Sequence, residues 1–143
     1  ILTFIKELEK YCRVFVFSEE RRKSLERYKI NLPPSELHNF LYYSSAYIGD
    51  GASMASEAAV LGTPSIYVSN PERVWGYIED LERYGLLKIY EDKNHALNSL
   101  IKIIEDTKIR KKWRKNRDKM LREKINPLNF VLNIVENYLH RET

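Results

Sequence analysis

The chain has 143 residues, 43% of them apolar and 31% charged, with five glycines and five prolines. That length fits one globular domain, and the composition excludes a disordered chain, a collagen and a low-complexity linker. The formal net charge of +4 is concentrated: residues 108–124 hold ten Lys or Arg against two acids, while the remainder carries 14 bases and 18 acids.

Other classes fall away on similar grounds. The longest charge-free stretch, 58–71, contains Gly62 and Pro64. It is shorter than the roughly 18 apolar residues of a membrane span. No signal peptide is visible. Cys12 is the single cysteine, so no internal disulfide can form and a reducing cytoplasm is the expected compartment. His38, His95 and His140 are scattered, and no metal-ligand cluster is expected. The chain opens on Ile1, and its methionines are Met54 and Met120. The expectation is a single domain over 1–143, cut from a larger two-domain protein.

In chain order, Ile1, Phe4, Ile5 and Leu8 have helical spacing. Arg13-Val14-Phe15-Val16-Phe17 reads as a short strand buried on both faces, opened by an inert core thiol at Cys12. A polar stretch runs to Lys29, and Glu19 and Glu20 stand at the carboxyl end of that first strand. Pro33-Pro34-Ser35 starts a helix, with Ser35 as N-cap and Leu37, Phe40 and Leu41 inward. Ala46-Tyr47-Ile48-Gly49 is a second strand. A small-residue helix follows from Met54 to Leu61, stopped by Gly62 and Pro64. Ser65–Val68 is a third strand. Residues 71–84 are loop and then helix, with Trp75, Ile78 and Leu81 inward, and 86–90 is a fourth strand. His95 falls in a loop before a helix over 96–104. The basic helix over 108–124 comes next. The last helix spans 127–139, with Asn126 as cap, Pro127 at its first position and an apolar stripe of Phe130, Val131, Ile134, Val135, Tyr138 and Leu139. Short apolar strands alternating with helices predict an α/β protein with a Rossmann-like parallel sheet flanked by helices, and further helices at the C-terminus.

In open parallel sheets, ligands bind beyond the carboxyl ends of the strands. The junction that stands out is Gly49-Asp50-Gly51-Ala52-Ser53-Met54-Ala55-Ser56-Glu57. Its small residues let a ligand approach the backbone, and the free N–H groups and dipole of a helix start favour phosphate. Glu57, one turn further on, suits ribose hydroxyls. The plain alternative is a capped helix start whose Ala55, Ala58 and Ala59 only permit close packing on the sheet.

The stretch from Leu32 to Arg73 resembles the C-terminal domain of GT-B fold proteins, particularly UDP-N-acetylglucosamine 2-epimerases. Their pattern is a strand ending in Asp-Ser-Gly-Gly, three residues, Glu, then Leu-Gly-x-Pro and a strand. This chain has Asp50-Gly51-Ala52-Ser53, three residues, Glu57, then Leu61-Gly62-Thr63-Pro64 and a strand. It is closer still to an uncharacterised archaeal and bacterial family of that superfamily, through Leu41-Tyr42-Tyr43-Ser44, Ile48-Gly49-Asp50-Gly51-Ala52-Ser53-Met54 and Glu57-Ala58-Ala59-Val60-Leu61-Gly62-Thr63-Pro64.

The resemblance implies a nucleotide-sugar ligand, a UDP-sugar, with its phosphates on Asp50, Gly51, Ala52 and Ser53 and its ribose on Glu57. The position near the base maps to Leu37, where the epimerases have an aromatic residue. A ligand-contacting Arg maps to Arg73, one residue out of register. Gly-Gly has become Ala52-Ser53, which narrows the turn. The resemblance further implies a GT-B epimerase or glycosyltransferase as the parent, with its acid–base residues in an N-terminal domain outside this chain and the first strand of the present domain missing. No residue here is assigned a catalytic role: His38 and the strand-end carboxylates read as surface groups, and His140 lies near a fraying end. No cofactor is called for. A homodimer through the open sheet is expected. The rival reading is a non-catalytic Rossmann-like module without a nucleotide.

The basic helix has a sparse apolar edge of Ile109, Trp113 and Met120. It reads first as a solvated helix packed by that edge. Its functional alternative is an anionic membrane surface, which would make the protein peripheral to the membrane. Nucleic acid is the weaker partner, because the aromatic and glycine pattern of an RNA-binding sheet is missing.

Overall fold

In the computed structural model, residues 1–18, 22–70 and 76–139 are described. Three strands, β1 (Tyr47–Gly49), β2 (Ser65–Val68) and β3 (Leu87–Tyr90), form a parallel sheet in the order β1-β2-β3. Ile48 pairs with Ile66, and Ile66 with Lys88. β2 is central, and its Ser65, Ile66 and Tyr67 are buried. Among the described residues the α-helices are α1 (Leu2–Leu8), α2 (Leu37–Tyr43), α3 (Ala52–Val60), α4 (Gly76–Arg83), α5 (Lys93–Glu105), α6 (Ile109–Glu123) and α7 (Pro127–Leu139). α3 rests on β1 and β2, α4 touches α3 and β3, and α5 covers β2 and β3. The fold is the α/β class that the alternation of elements predicts.

Ala55, Ala58 and Ala59 are completely buried. With only methyl groups on that face, α3 lies close enough for the Ser65 hydroxyl to donate to the Ala55 carbonyl at 2.8 Å. That bond satisfies a polar group at the centre of the sheet. α3 ends at Gly62 (φ +80°), where the N–H of Thr63 reaches the Ala58 carbonyl and that of Gly62 the Ala59 carbonyl. This is a Schellman closure, and a left-handed residue there is best supplied by glycine. α4 ends the same way at Gly85 (φ +67°), through Leu86 to Leu81 and Gly85 to Glu82. The fully buried Thr63 donates to the Leu41 carbonyl at 2.8 Å and so fastens α2 to the α3–β2 connection. The Leu61-Gly62-Thr63-Pro64 part of the motif therefore has a structural role.

Three expectations need correction. Residues 13–17 form no strand of the sheet; they make one isolated parallel bridge, Val16 to Lys29. Val16 instead packs on a small second core of Ile5, Leu25 and Tyr28, so Cys12 lies in the turn after α1 rather than at a strand. Ser35 caps nothing. Pro34 opens a tight 3-10 turn over Pro34–Glu36, Ser35 falls inside it, and α2 starts only at Leu37 with no side-chain cap. His95 is not in a loop. Asp92 caps α5 by accepting the His95 N–H at 2.8 Å, which starts that helix three residues before Ala96.

Candidate functional site

β1 delivers the chain to the carboxyl end of the sheet at Gly49, and α3 begins at Ala52. Gly51, in an extended conformation, precedes the helix, and no side chain caps it. Asp50 and Ser53, both exposed, leave the first N–H groups of α3 free, since the first intrahelical bond runs from Ala55 to the Gly51 carbonyl. The cap of the plain alternative is therefore absent, while its close packing of Ala55, Ala58 and Ala59 on the sheet is present. An uncapped helix N-terminus presents N–H donors and partial positive charge to solvent.

Glu57 lies one turn into α3 and is partly exposed. Its Oε2 is 3.3 Å from Nε2 of His38 in the first turn of α2. The fold thus joins two residues 19 apart in the chain, a contact with no signature in the sequence. Leu37 opens α2 and is only partly buried; the contact to Glu57 comes from its neighbour His38. Arg73 lies outside the described residues, as do Glu19, Glu20, Trp75 and His140.

Tyr47 is a residue that motif reasoning missed. A Cβ on Gly49 would collide with the Tyr47 hydroxyl, whereas at Gly51 it would meet that oxygen at an ordinary 3.6 Å. Gly49 therefore makes room for the chain's own tyrosine, and Gly51 alone leaves the backbone open. The Tyr47 hydroxyl donates to the Gly51 carbonyl at 3.5 Å. Burial is the main reason its pKa is pushed up to about 12, with the Asp50 charge acting in the same direction. The available signal was an aromatic residue two and four positions before glycines.

α6 contributes at the other end of the same helices. An Arg110 guanidinium N–H donates to the Tyr42 carbonyl, and Arg117 Nη1 to the Leu61 carbonyl at 3.1 Å. Two cations thus close the C-terminal ends of α2 and α3, where carbonyls are unpaired and the dipole is negative. Arg114 stacks on the Tyr42 ring at 4.9 Å. The buried Trp113 donates its indole N–H to the Leu86 carbonyl at 2.9 Å. The basic helix is packed through its apolar edge and three arginines together.

Two open clefts lie elsewhere. One, of about 580 Å³, is lined by residues of 9–14 together with Arg27 and Tyr28. The other, of about 480 Å³, lies beside Glu82, Tyr90 and Asp92. In the first, burial pushes the Cys12 thiol pKa up, which makes it a poor nucleophile. Among the described residues, no group of three His, Cys, Asp or Glu could hold a metal ion, and no helix is long and apolar enough to cross a membrane.

Fold and turn together define the class: an open parallel-sheet, Rossmann-like α/β protein with an uncapped helix start at the carboxyl edge of its sheet. The chain belongs to the family described as "Protein of unknown function (DUF354)", whose model matches residues 1–140. No curated protein and no solved structure matches it.

Proposed function

We propose that the chain binds a nucleotide-sugar, with a UDP-sugar as the favoured ligand, at the turn between β1 and α3. The phosphates sit at Gly51–Ser53 and the ribose on Glu57. The observation that carries this reading is the uncapped start of α3, with Gly51 open to solvent and a carboxylate one turn further on. The resemblance to GT-B proteins supports the same ligand, and makes a second domain the partner that would close the cleft and supply catalytic groups. The outer edge of β1 has no partner strand among the described residues. A homodimer through that edge is the companion expectation, and a single monomer peak in light scattering counts against it.

A second reading, a Rossmann-like module without nucleotide, draws support from Tyr47, whose hydroxyl occupies the space beside Gly49. Thermal shift with UDP, UDP-N-acetylglucosamine, GDP and ADP separates the two. A ligand at about 100 times its dissociation constant stabilises the fold by about 2.7 kcal/mol. The expected result is a UDP-selective shift that Glu57→Ala abolishes. A shift that survives Glu57→Ala removes the ribose role, and no shift with any nucleotide, in this chain and in a longer one that includes the second domain, favours the module.

A further inference from the structure

We propose that the exposed cationic face of α6, together with the apolar arc of α7, is a docking surface for an anionic lipid bilayer. The cations of α6 divide into two sets. Arg110, Arg114 and Arg117 face inward, onto the Tyr42 carbonyl, the Tyr42 ring and the Leu61 carbonyl. Lys108, Lys111, Lys112, Lys115, Lys119 and Arg122 are all exposed. At 3.6 residues per turn these six fall within an arc of about 100°, spread over about 21 Å of helix. The two acids at its margins are engaged: Asp118 accepts from Arg117 at 2.7 Å, and Glu123 lies 3.9 Å from Lys119.

α7 follows after three residues. Its one charged residue is Glu136, and Asn129, Asn133 and Asn137 lie on the same side as that charge. The remaining arc of about 200° is apolar, against the roughly 100° stripe usual for a surface helix. Every residue of this helix is exposed, Phe130 at 53% and Val131 at 54% among them.

A cationic strip on one helix and an uncharged apolar arc on the next supply the two contributions that hold proteins on anionic leaflets: attraction to headgroups, and apolar surface sunk to the acyl boundary. A nucleic acid would meet the cations but leave α7 uncovered. The aromatic residue of α6, Trp113, is buried and so unable to stack on bases. A second copy paired through the same face would cover α7 but set one cationic strip against another. Arg117 seats α6 by the C-terminal end of α3, whereas the nucleotide turn is at its N-terminal end, so neither proposal depends on the other.

The test is cosedimentation of the full chain with vesicles of phosphatidylglycerol and phosphatidylcholine in a one-to-two ratio, and with phosphatidylcholine alone. Binding is expected only to the anionic vesicles. It should collapse in about 1 M salt, where the screening length falls to about 3 Å. The triple variant Lys111→Ala, Lys115→Ala, Lys119→Ala should bind about a hundredfold more weakly, at about fivefold per cation. The triple variant Leu128→Ser, Val131→Ser, Val135→Ser should also lose binding. All six side chains are exposed, so circular dichroism and Tm should not change. The proposal is overturned by equal binding to neutral vesicles, by no binding at all, or by a lysine variant that binds like the parent. Lysine-dependent capture of an RNA oligonucleotide that ignores the α7 variant overturns it in favour of nucleic acid. A dimer dissolved by the α7 variant, without vesicle binding, overturns it in favour of self-association.

Discussion

α6 and α7 follow one another in the chain, are 15 and 13 residues long, and bury themselves in the opposite order to their hydropathy. α6 is the most highly charged segment, yet Trp113 and Met120 are buried and three arginines are enclosed against neighbouring elements. α7 is among the most apolar segments, yet each of its residues is exposed. The difference teaches that burial follows available partners. α6 meets two helix ends with unpaired carbonyls and a strand-start carbonyl at Leu86, and arginine and tryptophan are long donors suited to reach them. α7 offers only apolar contact, and among the described residues no element covers it.

The sharpest way to break this contrast is to truncate the aromatic residue of each helix. Trp113→Ala removes a buried ring and its bond to Leu86, and should cost about 3–5 kcal/mol in urea unfolding. Phe130→Ala should change stability by less than about 0.5 kcal/mol. Comparable losses would mean that α7 is covered in solution.

The next largest effect lies at the opposite end of α3. Tyr47 ionises near pH 10 in the unfolded chain but at about 12 in the fold. The neutral hydroxyl is the form the fold favours, so its contribution is complete below pH 10 and lost as the pH rises through 12. The loss should be about 2–3 kcal/mol. Tyr47→Phe should flatten that part of the stability profile relative to the parent, and an unchanged profile would refute the burial of its hydroxyl.

Arg117→Met keeps much of the stem but removes the donor to the Leu61 carbonyl. It should cost about 1 kcal/mol by chemical denaturation, whereas Lys115→Met, on the exposed face, should cost almost nothing. Equal effects would show that net charge, rather than the cap, ties α6 down. The smallest expected effect is at the half-exposed pair of His38 and Glu57. His38→Ala should lower stability by no more than about 0.5 kcal/mol while changing nucleotide affinity if the turn binds one.

The fold was largely legible where periodicity and breakers coincide. β2, β3, α6 and α7 lie within a residue or two of the patterns over 65–68, 86–90, 108–124 and 127–139. Residues 13–17 were misread because an apolar run specifies burial but not a pairing partner: Val14 and Val16 pack on the small core around Leu25 and Tyr28, and Phe15 and Phe17 on the Phe40 ring. At the candidate site, Gly51 to Ser53 and Glu57 could be named from spacing along a single helix. The opposition of His38 to Glu57 could not, since two helices must first be fastened, here by Thr63 on the Leu41 carbonyl.

By itself the sequence determined the α/β alternation, the small-residue face of α3, the glycines that end α3 and α4, and the charge of α6. Each of these is local, set by backbone sterics, side-chain volume or residue type within a few positions. The tertiary structure alone decided which cations of α6 turn inward, that Tyr47 lies over Gly49, and that α7 finds no cover among the described residues. These depend on carbonyls, cavities and surfaces that come from distant parts of the chain and exist only once the sheet has assembled.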